Sequence, residues 1–195
     1  MTKAERTRQF IIEKAAPIFN RKGIAGTSMA DIMEATKLAK GGLYGNFESK
    51  EEICLESFKY LIKNLTDDIG RRIVLESSAT GKLFALLDFY VESAAKNGNS
   101  GCPMLNFGTE ADDTNPLLQK QVSDSISRYR TRIADILKKG QHDGEFAPEL
   151  DTEKLALKIF SMIEGGVLVS KVQQNPQHMA QVVNMLKEEI RQLSN

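Results

Sequence analysis

Residues 27–50, TSMADIMEATKLAKGGLYGNFESK, decide how the chain folds. Ser28 followed by Asp31 has the form of a capping box, which starts a helix by satisfying its first free N–H groups. Apolar residues then recur at helical spacing, and after a break a second helix is predicted from Lys40 to Phe47. Two short helices joined by about three residues have the spacing of a helix-turn-helix, whose second helix enters the major groove of DNA.

The alternative interpretation is an ordinary pair of core helices, because short helix pairs are common in all-α domains. Behind the pair, Ser49 and Glu52 form a second capping-box pattern, which predicts a long helix running to about Glu76. Its apolar residues recur at three- and four-residue steps, and they are Cys54, Phe58, Leu61, Leu65, Ile69 and Ile73. The residue pattern by itself leaves both interpretations of the helix pair open.

The run from Lys40 to Ile53, KGGLYGNFESKEEI, resembles the signature of the TetR/AcrR family of bacterial transcription regulators. In that family a K-G-T-L-Y-x-x-F recognition helix is followed by a polar residue and S-K-E-x-L. The resemblance spans about residues 6–60, because upstream positions also match, namely Phe19, Gly23, Thr27, Ser28, Ile32 and Ala35. It implies a DNA-binding domain over residues 1–48 and an effector-binding and dimerisation domain over residues 49–195.

The recognition helix departs from the family pattern at four positions. Gly42 replaces a usual Thr or Ser, Gly45 a His or aromatic residue, and Asn46 a Tyr or His. Ala39 replaces the usual capping Ser or Thr. Since each helical glycine costs about 1 kcal/mol of helix stability relative to alanine, we expect this helix to be only marginally stable until it binds DNA.

The resemblance also implies which residues contact DNA. Thr27 and Ser28 are expected on phosphates, and Lys40 and Lys50 on phosphates rather than base edges. The full predicted set is Thr27, Ser28, Lys37, Lys40, Gly41, Gly42, Tyr44, Asn46 and Lys50.

The charge distribution agrees with a nucleic-acid partner although the net charge is zero. Residues 1–50 carry nine Lys or Arg and five Asp or Glu, so this part is +4 and the rest is −4. A basic N-terminal quarter on an acidic body is typical of a DNA-binding head. A solvated face of mixed charge is the alternative interpretation.

The composition, 41% apolar residues with few prolines and no tryptophan in 195 residues, favours a soluble, mainly helical protein. There is neither an apolar run of 18 residues nor a signal peptide, so we expect a cytoplasmic protein without membrane contact. Cys54 and Cys102 lack CxxC spacing and nearby histidines, which predicts no metal site and no cofactor. Cys54 is expected to be a small core residue.

Helical spacing continues through the remainder, with a turn cluster at residues 97–101 and a loop at residues 140–148. The sequence therefore predicts an all-α fold of about nine helices, with a three-helix head and a helical body. Outside the central pair, helices are predicted over residues 4–21, 49–76, 83–96, 103–111, 116–139 and 152–174, and from Pro176 to Leu193.

The last two helices carry an apolar stripe that predicts a four-helix interface between two protomers. Gly165 and Gly166 inside a helix indicate close packing. The predicted interface residues are Gly165, Gly166, Val182, Leu186 and Ile190. Packing of this stripe within one protomer is the alternative.

Aromatic and methionine residues of the body predict either a core or an effector pocket, and the resemblance favours a pocket for some of them. The candidates are Phe84, Phe89, Cys102, Met104, Phe107, Tyr129, Phe160 and Met162, with Asn106 or Glu110 as polar anchors. The effector is an unknown small molecule.

An enzyme is predicted less well, because no Ser/His/Asp set and no phosphate-binding loop can be placed. Cys102 precedes Pro103 at a helix start, where the dipole favours a thiolate, so the best enzyme alternative is a thiol-dependent redox enzyme. We predict a homodimeric repressor that binds a palindromic double-stranded operator and is released from it when a small ligand binds, or a thiol is modified, in the C-terminal domain. A helical protein-interaction module is the third interpretation, and a gel shift with the upstream DNA separates the three.

Overall fold

The computed structural model describes residues 1–96, 101–111 and 115–194, and these ranges form nine α-helices without a β-strand. The all-α prediction is confirmed, whereas residues 97–100 of the predicted turn cluster lie outside the described part. No described helix has the length and apolar character needed to cross a membrane. The helices are α1 (Lys3–Lys22), α2 (Met29–Thr36), α3 (Lys40–Tyr44), α4 (Lys50–Ile73), α5 (Ala79–Ala95), α6 (Pro103–Ala111), α7 (Pro116–His142), α8 (Thr152–Val172) and α9 (Gln177–Leu193).

Helix α5 begins four residues earlier than the sequence predicts. Two side chains accept hydrogen bonds from its first N–H groups. Ser78 Oγ accepts from Gly81 N, and the Glu145 carboxylate accepts from Ala79 N and Thr80 N. The predicted start at residue 83 was therefore wrong, and the part of this capping that comes from Glu145, in the loop after α7, could not be recognised from neighbouring residues.

The chain divides into two compact units. The head unit comprises Met1–Leu65 and Cys102–Ser123, and the body unit comprises Thr66–Gly101 and Asp124–Asn195. Helices α4 and α7 each contribute residues to both units. The division into residues 1–48 and 49–195 stays a prediction.

In the head unit, α1 packs against α2 and α6. Phe58 of α4 and Phe107 of α6 place their ring centroids 5.2 Å apart. The apolar core around them is fully or almost fully buried, and it includes Ile11, Ala15, Phe19, Ile32, Leu43, Phe47 and Ile53. This core fixes the inner faces of the two predicted DNA-binding helices.

In the body unit, α8 packs against α9, and α5 packs against both. The Tyr90 hydroxyl donates to the Tyr129 hydroxyl at 2.9 Å, and Arg72 of α4 forms a two-pronged ion pair with Glu92 of α5. The ion pair joins the end of α4 to α5, and the Arg72 guanidinium also lies 5.3 Å from the centroid of the Phe89 ring.

Candidate nucleic-acid interface

The capping box at the start of α2 forms as the sequence predicts. Asp31 N donates to Ser28 Oγ at 3.1 Å, and Ser28 N donates to Asp31 Oδ2 at 2.8 Å. After Thr36 the chain turns through Lys37 in the left-handed conformation, with φ 58°, and α3 begins at Lys40. Three residues thus separate α2 from α3, which is the helix-turn-helix connection.

Helix α3 is a short helix with one buried and one exposed side. It ends at Tyr44 rather than at Phe47, and no side chain caps its first residue, in agreement with the loss of the usual cap at Ala39. Leu43 is fully buried, whereas Tyr44 is 46% exposed. Lys40 Nζ lies 5.7 Å from the centroid of the Tyr44 ring, so a cation and an aromatic ring face solvent together.

Arg8 supports the far end of α3, and the sequence analysis missed it. Its guanidinium lies 4.1 Å from the centroid of Phe47, donates to the carbonyl of Asn46, and pairs with Glu52 Oε1 at 2.8 Å. The hydrogen bond from Arg8, together with one from Glu48 N, holds the pKa of Glu52 below its usual range. No short-range pattern could reveal this, because Arg8 and Glu52 are 44 positions apart.

The segment between α1 and α2, which we call loop 23–27, is held from two sides. The Glu110 carboxylate accepts hydrogen bonds from the N–H groups of Ile24 and Ala25. Lys50 Nζ donates to the carbonyls of Ile24 and Thr27 at 2.9 and 3.0 Å. Loop 23–27 therefore has backbone donors and acceptors satisfied by side chains from α6 and α4.

These contacts correct three of the predicted DNA contacts. Lys50 uses its ammonium group to hold loop 23–27, so it is not available as a free phosphate ligand in this structure. Thr27 is 1% exposed and its hydroxyl donates to Gly23 O at 2.6 Å, which removes it from the surface. Asn46 is half-buried and donates from Nδ2 to Gly42 O at 2.8 Å, closing the C-terminal end of α3.

The remaining predicted residues stay on the outside of the helix pair. Ser28, Lys37, Lys40, Gly41 and Tyr44 are exposed, and Gly42 is half-buried. Their place at the DNA stays a prediction. The surface that they form carries two lysines, a tyrosine hydroxyl and a backbone without side chains at two glycines, which suits close approach to a phosphate backbone and a groove.

Asp31, the acidic residue of the α2 capping box, is paired with a cation. Lys22 Nζ lies 2.6 Å from Asp31 Oδ1, and the Ser28 hydroxyl donates to Oδ2 at 2.7 Å. The hydrogen bond from Lys22 and then those from Ser28 hold the pKa of Asp31 well below its usual range. Asp31 therefore serves the helix cap, and the ion pair joins α1 to α2.

The structure separates the eight predicted effector-binding residues. Cys102, Met104 and Phe107 are buried in the head unit. In the body unit, Phe89 and Tyr90 contact edge to face, and Tyr129 packs against Phe160 with ring centroids 5.9 Å apart.

Of the five candidates in the body unit, two lie away from that aromatic group, and the prediction for them is corrected. Phe84 is half-buried under Lys187 and Arg191 of α9, whose charged atoms are 5.1 and 5.0 Å from its centroid. Met162 lines an apolar groove between α8 and α9 instead. A half-buried ring beneath two cations and a residue of the groove do not enclose a ligand within the helical body.

The predicted dimer stripe is partly a core of the single protomer. Leu186 is 1% exposed and Ile190 is fully buried within the protomer, so the prediction for these two was wrong. A Cβ on Gly166 would lie 2.9 Å from Met179 Sδ, which shows that this glycine serves the crossing of α8 and α9. Gly165 is exposed and Val182 half-buried, so both still face outward.

The apolar groove beside them, which we call the α8–α9 groove, is lined by side chains of both helices. Val169 and Met185 are among the large apolar side chains that remain exposed, Met185 by 51%. The lining residues are Met162, Gly165, Gly166, Val169, His178, Gln181, Val182 and Met185.

Both cysteines are buried. Burial raises the pKa of the Cys54 thiol to about 12, in accord with its predicted role as a core residue. Helix α6 begins at Pro103 as predicted, with Cys102 directly before it. Among the described residues, no three His, Cys, Asp or Glu side chains converge as a metal site would require.

Two family models match the sequence. Residues 11–56 match "Bacterial regulatory proteins, tetR family", and residues 79–186 match "Tetracyclin repressor-like, C-terminal domain". The second match alone covers more than half of the chain.

Three known proteins illustrate the similarity. A TetR transcriptional regulator from Chloroflexus aurantiacus is 34% identical, with a TM-score of 0.94 over 100% of this chain and 98% of that one. The transcriptional repressor DhaR from a Mycobacterium species is 22% identical over 181 residues, 93% of this chain and 90% of DhaR. At the level of fold, a cysteine-substituted CifR bound to 26-base-pair operator DNA aligns with a TM-score of 0.82 and 19% identity, over 92% of this chain and 94% of that one.

Proposed function

The chain belongs to the TetR family of bacterial regulatory proteins and is a DNA-binding transcriptional repressor, and from this premise we propose how its parts act. Two protomers pair through their bodies, and the α3 helices of the two heads bind successive major grooves of a palindromic operator. A small molecule bound in the body releases the DNA. The observation that carries the proposal is the exposed face of α3, where Lys40, Gly41 and Tyr44 lie outward over a buried Leu43.

The exposed apolar side chains of the α8–α9 groove support the homodimer. One head binds DNA weakly, and a second head at fixed distance is what selects an operator of two half-sites. Apolar side chains such as Val169 and Met185 gain most of their stabilisation by leaving water, which a second copy of the same groove provides.

The continuity of α4 supports the ligand response. This helix has 24 residues, which at about 1.5 Å per residue gives about 36 Å. Its first residues belong to the head unit and its last to the body unit. A rigid helix of this length can carry a small rotation in the body to a head, and the spacing of the two heads then no longer fits the operator.

The experiment is operator binding by gel shift and fluorescence anisotropy, with DNA from upstream of the chain's own gene. Tyr44→Ala should weaken binding most, because its ring and hydroxyl lie on the exposed face. Lys40→Ala should weaken binding to all DNA sequences alike and lower the slope of log K against log salt by about one unit.

The matched control is Lys138→Ala, which removes an equally exposed cation from α7, where it pairs with Glu153 at 2.7 Å. Binding by Lys138→Ala should keep the salt slope of the unmodified chain. An unchanged slope in Lys40→Ala, or the absence of sequence-selective binding by the ligand-free chain, would contradict the proposal.

A thiol-dependent redox enzyme has less support, because Cys102 is buried. Cys102 and Cys54 are both buried and form no disulfide. The regulator interpretation needs no thiol chemistry.

A further inference from the structure

A cleft in the body unit is lined by the end of α4, the start of α5 and the middle of α7. It has a volume of about 450 Å³, which lies within the range of small-molecule sites. We call it the α4–α7 cleft, and its lining residues are Ile73, Ala79, Lys82, Arg128, Thr131, Arg132, Asp135, Ile136 and Lys139. None of the eight effector-binding residues predicted from the sequence is among them.

The cleft carries four cationic side chains and one carboxylate, that of Asp135. Lys139 is already paired, since its ammonium group lies 2.8 Å from Asp143 Oδ2. Arg128 donates to the hydroxyl of Ser125 at 3.1 Å. Lys82 and Arg132 form no direct ion pair with a carboxylate among the described residues, although Asp143 lies near enough to Lys82 to interact with it electrostatically. Positive charge therefore predominates among the side chains of the cleft.

Arg132 is positioned by backbone rather than by an acidic partner. Its Nη1 donates to Thr66 O at 3.3 Å, a long bond, and its Nη2 lies beside Gly70, where a Cβ would be only 3.1 Å away. The guanidinium therefore lies along α4 at a position that a larger side chain would crowd. Four of its five N–H donors have no described partner, which leaves them for a ligand.

The inner surface of the cleft is apolar. Ile73 and Ala79 are buried, and Ile136 is half-buried. A ligand that complements both the apolar surface and the cations of the cleft must have an apolar body against these side chains and an anionic group near Lys82 and Arg132. A neutral apolar ligand would leave the cations without an anionic partner, and a small inorganic anion would leave the apolar side chains exposed to water.

From the cleft, its charge and its apolar floor we infer that the α4–α7 cleft is the effector site and that it binds amphipathic anions, with a carboxylate or phosphate head and an aliphatic or aromatic body. This inference rests on the proposed function, in which a ligand of the body controls operator binding. An anion that draws the Arg132 guanidinium competes with its bond to Thr66 O, which is a contact between α7 and α4. Ligand binding thereby acts directly on the helix that continues into the head unit.

The test is isothermal titration calorimetry on the full-length chain with three probes of equal chain length, decanoate, decyl phosphate and decanol. Decanoate and decyl phosphate should bind at least about tenfold more tightly than decanol. Arg132→Gln and Lys82→Gln should each weaken the two anions by about ten- to a hundredfold, the usual cost of a lost hydrogen bond to a charged group. Both variants should leave decanol binding within about twofold, because neither changes the apolar floor.

Lys138→Gln is the matched control, because it removes a cation from the same helix outside the cleft, and it should bind all three probes as the unmodified chain does. Lys82→Gln keeps the test open if Arg132→Gln folds poorly after losing its bond to Thr66. Operator affinity is then measured with and without saturating decanoate, and decanoate should lower it at least about tenfold.

Three results would overturn the inference: equal binding of decanol and decanoate, anion binding that survives both cleft variants, or anion binding that leaves operator affinity unchanged. Failure of the proposed function gives a different result, since the ligand-free chain would then show no sequence-selective DNA binding whatever the probes do.

Discussion

At the scale of single residues, the ammonium group of Lys50 donates to the carbonyl oxygens of Ile24 and Thr27. Replacement by methionine keeps the aliphatic stem and leaves both carbonyls without this donor. Lys50→Met should lower the free energy of unfolding by about 1.5–3 kcal/mol, the range for hydrogen bonds to a charged group. Urea denaturation followed by circular dichroism measures this difference.

Lys40→Met is the matched control for Lys50→Met, because it makes the same chemical change at an exposed position. Its unfolding free energy should stay within about 0.5 kcal/mol of the unmodified chain. Full stability of Lys50→Met together with a smaller salt slope of DNA binding would return Lys50 to the phosphate contacts.

Glu52 makes the head sensitive to acid. Hydrogen bonds from Arg8 and from Glu48 N lower its pKa in the folded chain, so folding favours the carboxylate. Their stabilisation is fully present above the unfolded pKa of about 4.3 and is lost as the pH falls through the lower folded value. Urea titrations at several pH values should therefore show a steeper loss of stability below about pH 4.3 in the unmodified chain than in Glu52→Gln. Parallel curves for the two proteins would show that the Arg8 contact does not favour the charged form.

At the scale of helices, starts that depend on neighbours in sequence were predictable. The Ser28 cap and the proline at the start of α6 both act within three residues, and the structure confirms both starts. The start of α5 was missed although its Ser78 cap is local, and the additional hydrogen bonds from Glu145, 66 positions from Ala79, left no local signal. Helix α3 was overestimated, because a pattern of large apolar residues continues through Phe47 although the helical backbone stops earlier.

The apolar stripe of α9 shows a second limit of sequence patterns. Periodicity indicates which residues of a helix avoid water, but it does not show whether the cover comes from the same protomer or from another. Leu186 and Ile190 face the protomer's own core, whereas Met185, one position away, stays exposed. For the DNA-binding side the motif located Lys40 and Tyr44 on the surface, while the supporting contacts of Arg8 and Lys50 join distant parts of the chain and left no local signal.

At the scale of the whole molecule, the proposed dimer can be tested without disturbing the protomer's core. Met185→Asp adds a charge to the exposed α8–α9 groove, where pairing with a second copy would bury it at a cost of several kcal/mol. The variant should fold normally, sediment as a single chain of 21.7 kDa, and lose tight operator binding. Analytical ultracentrifugation measures the mass.

Leu117→Asp is the control for Met185→Asp, because Leu117 is an apolar residue of similar exposure, 59%, outside the groove. It should leave the mass of the assembly unchanged. A Met185→Asp protein that still sediments as a dimer would place the interface elsewhere.

The Glu110 carboxylate binds loop 23–27 and thereby limits how readily the head can be transferred to another protein as one continuous segment. Recombination or engineering that joins two chains near residue 48 would transfer α1 to α3 without Glu110. This residue lies 86 positions after Ile24 and binds the loop that connects α1 to α2. Loop 23–27 would then lie against the α6 helix of the recipient protein. Its N–H groups would lack a hydrogen-bond acceptor unless the recipient has an acidic residue at the position of Glu110. A working chimaera therefore has to inherit α6 together with the head, and specificity exchange between relatives is expected to succeed in segments that are discontinuous in the gene.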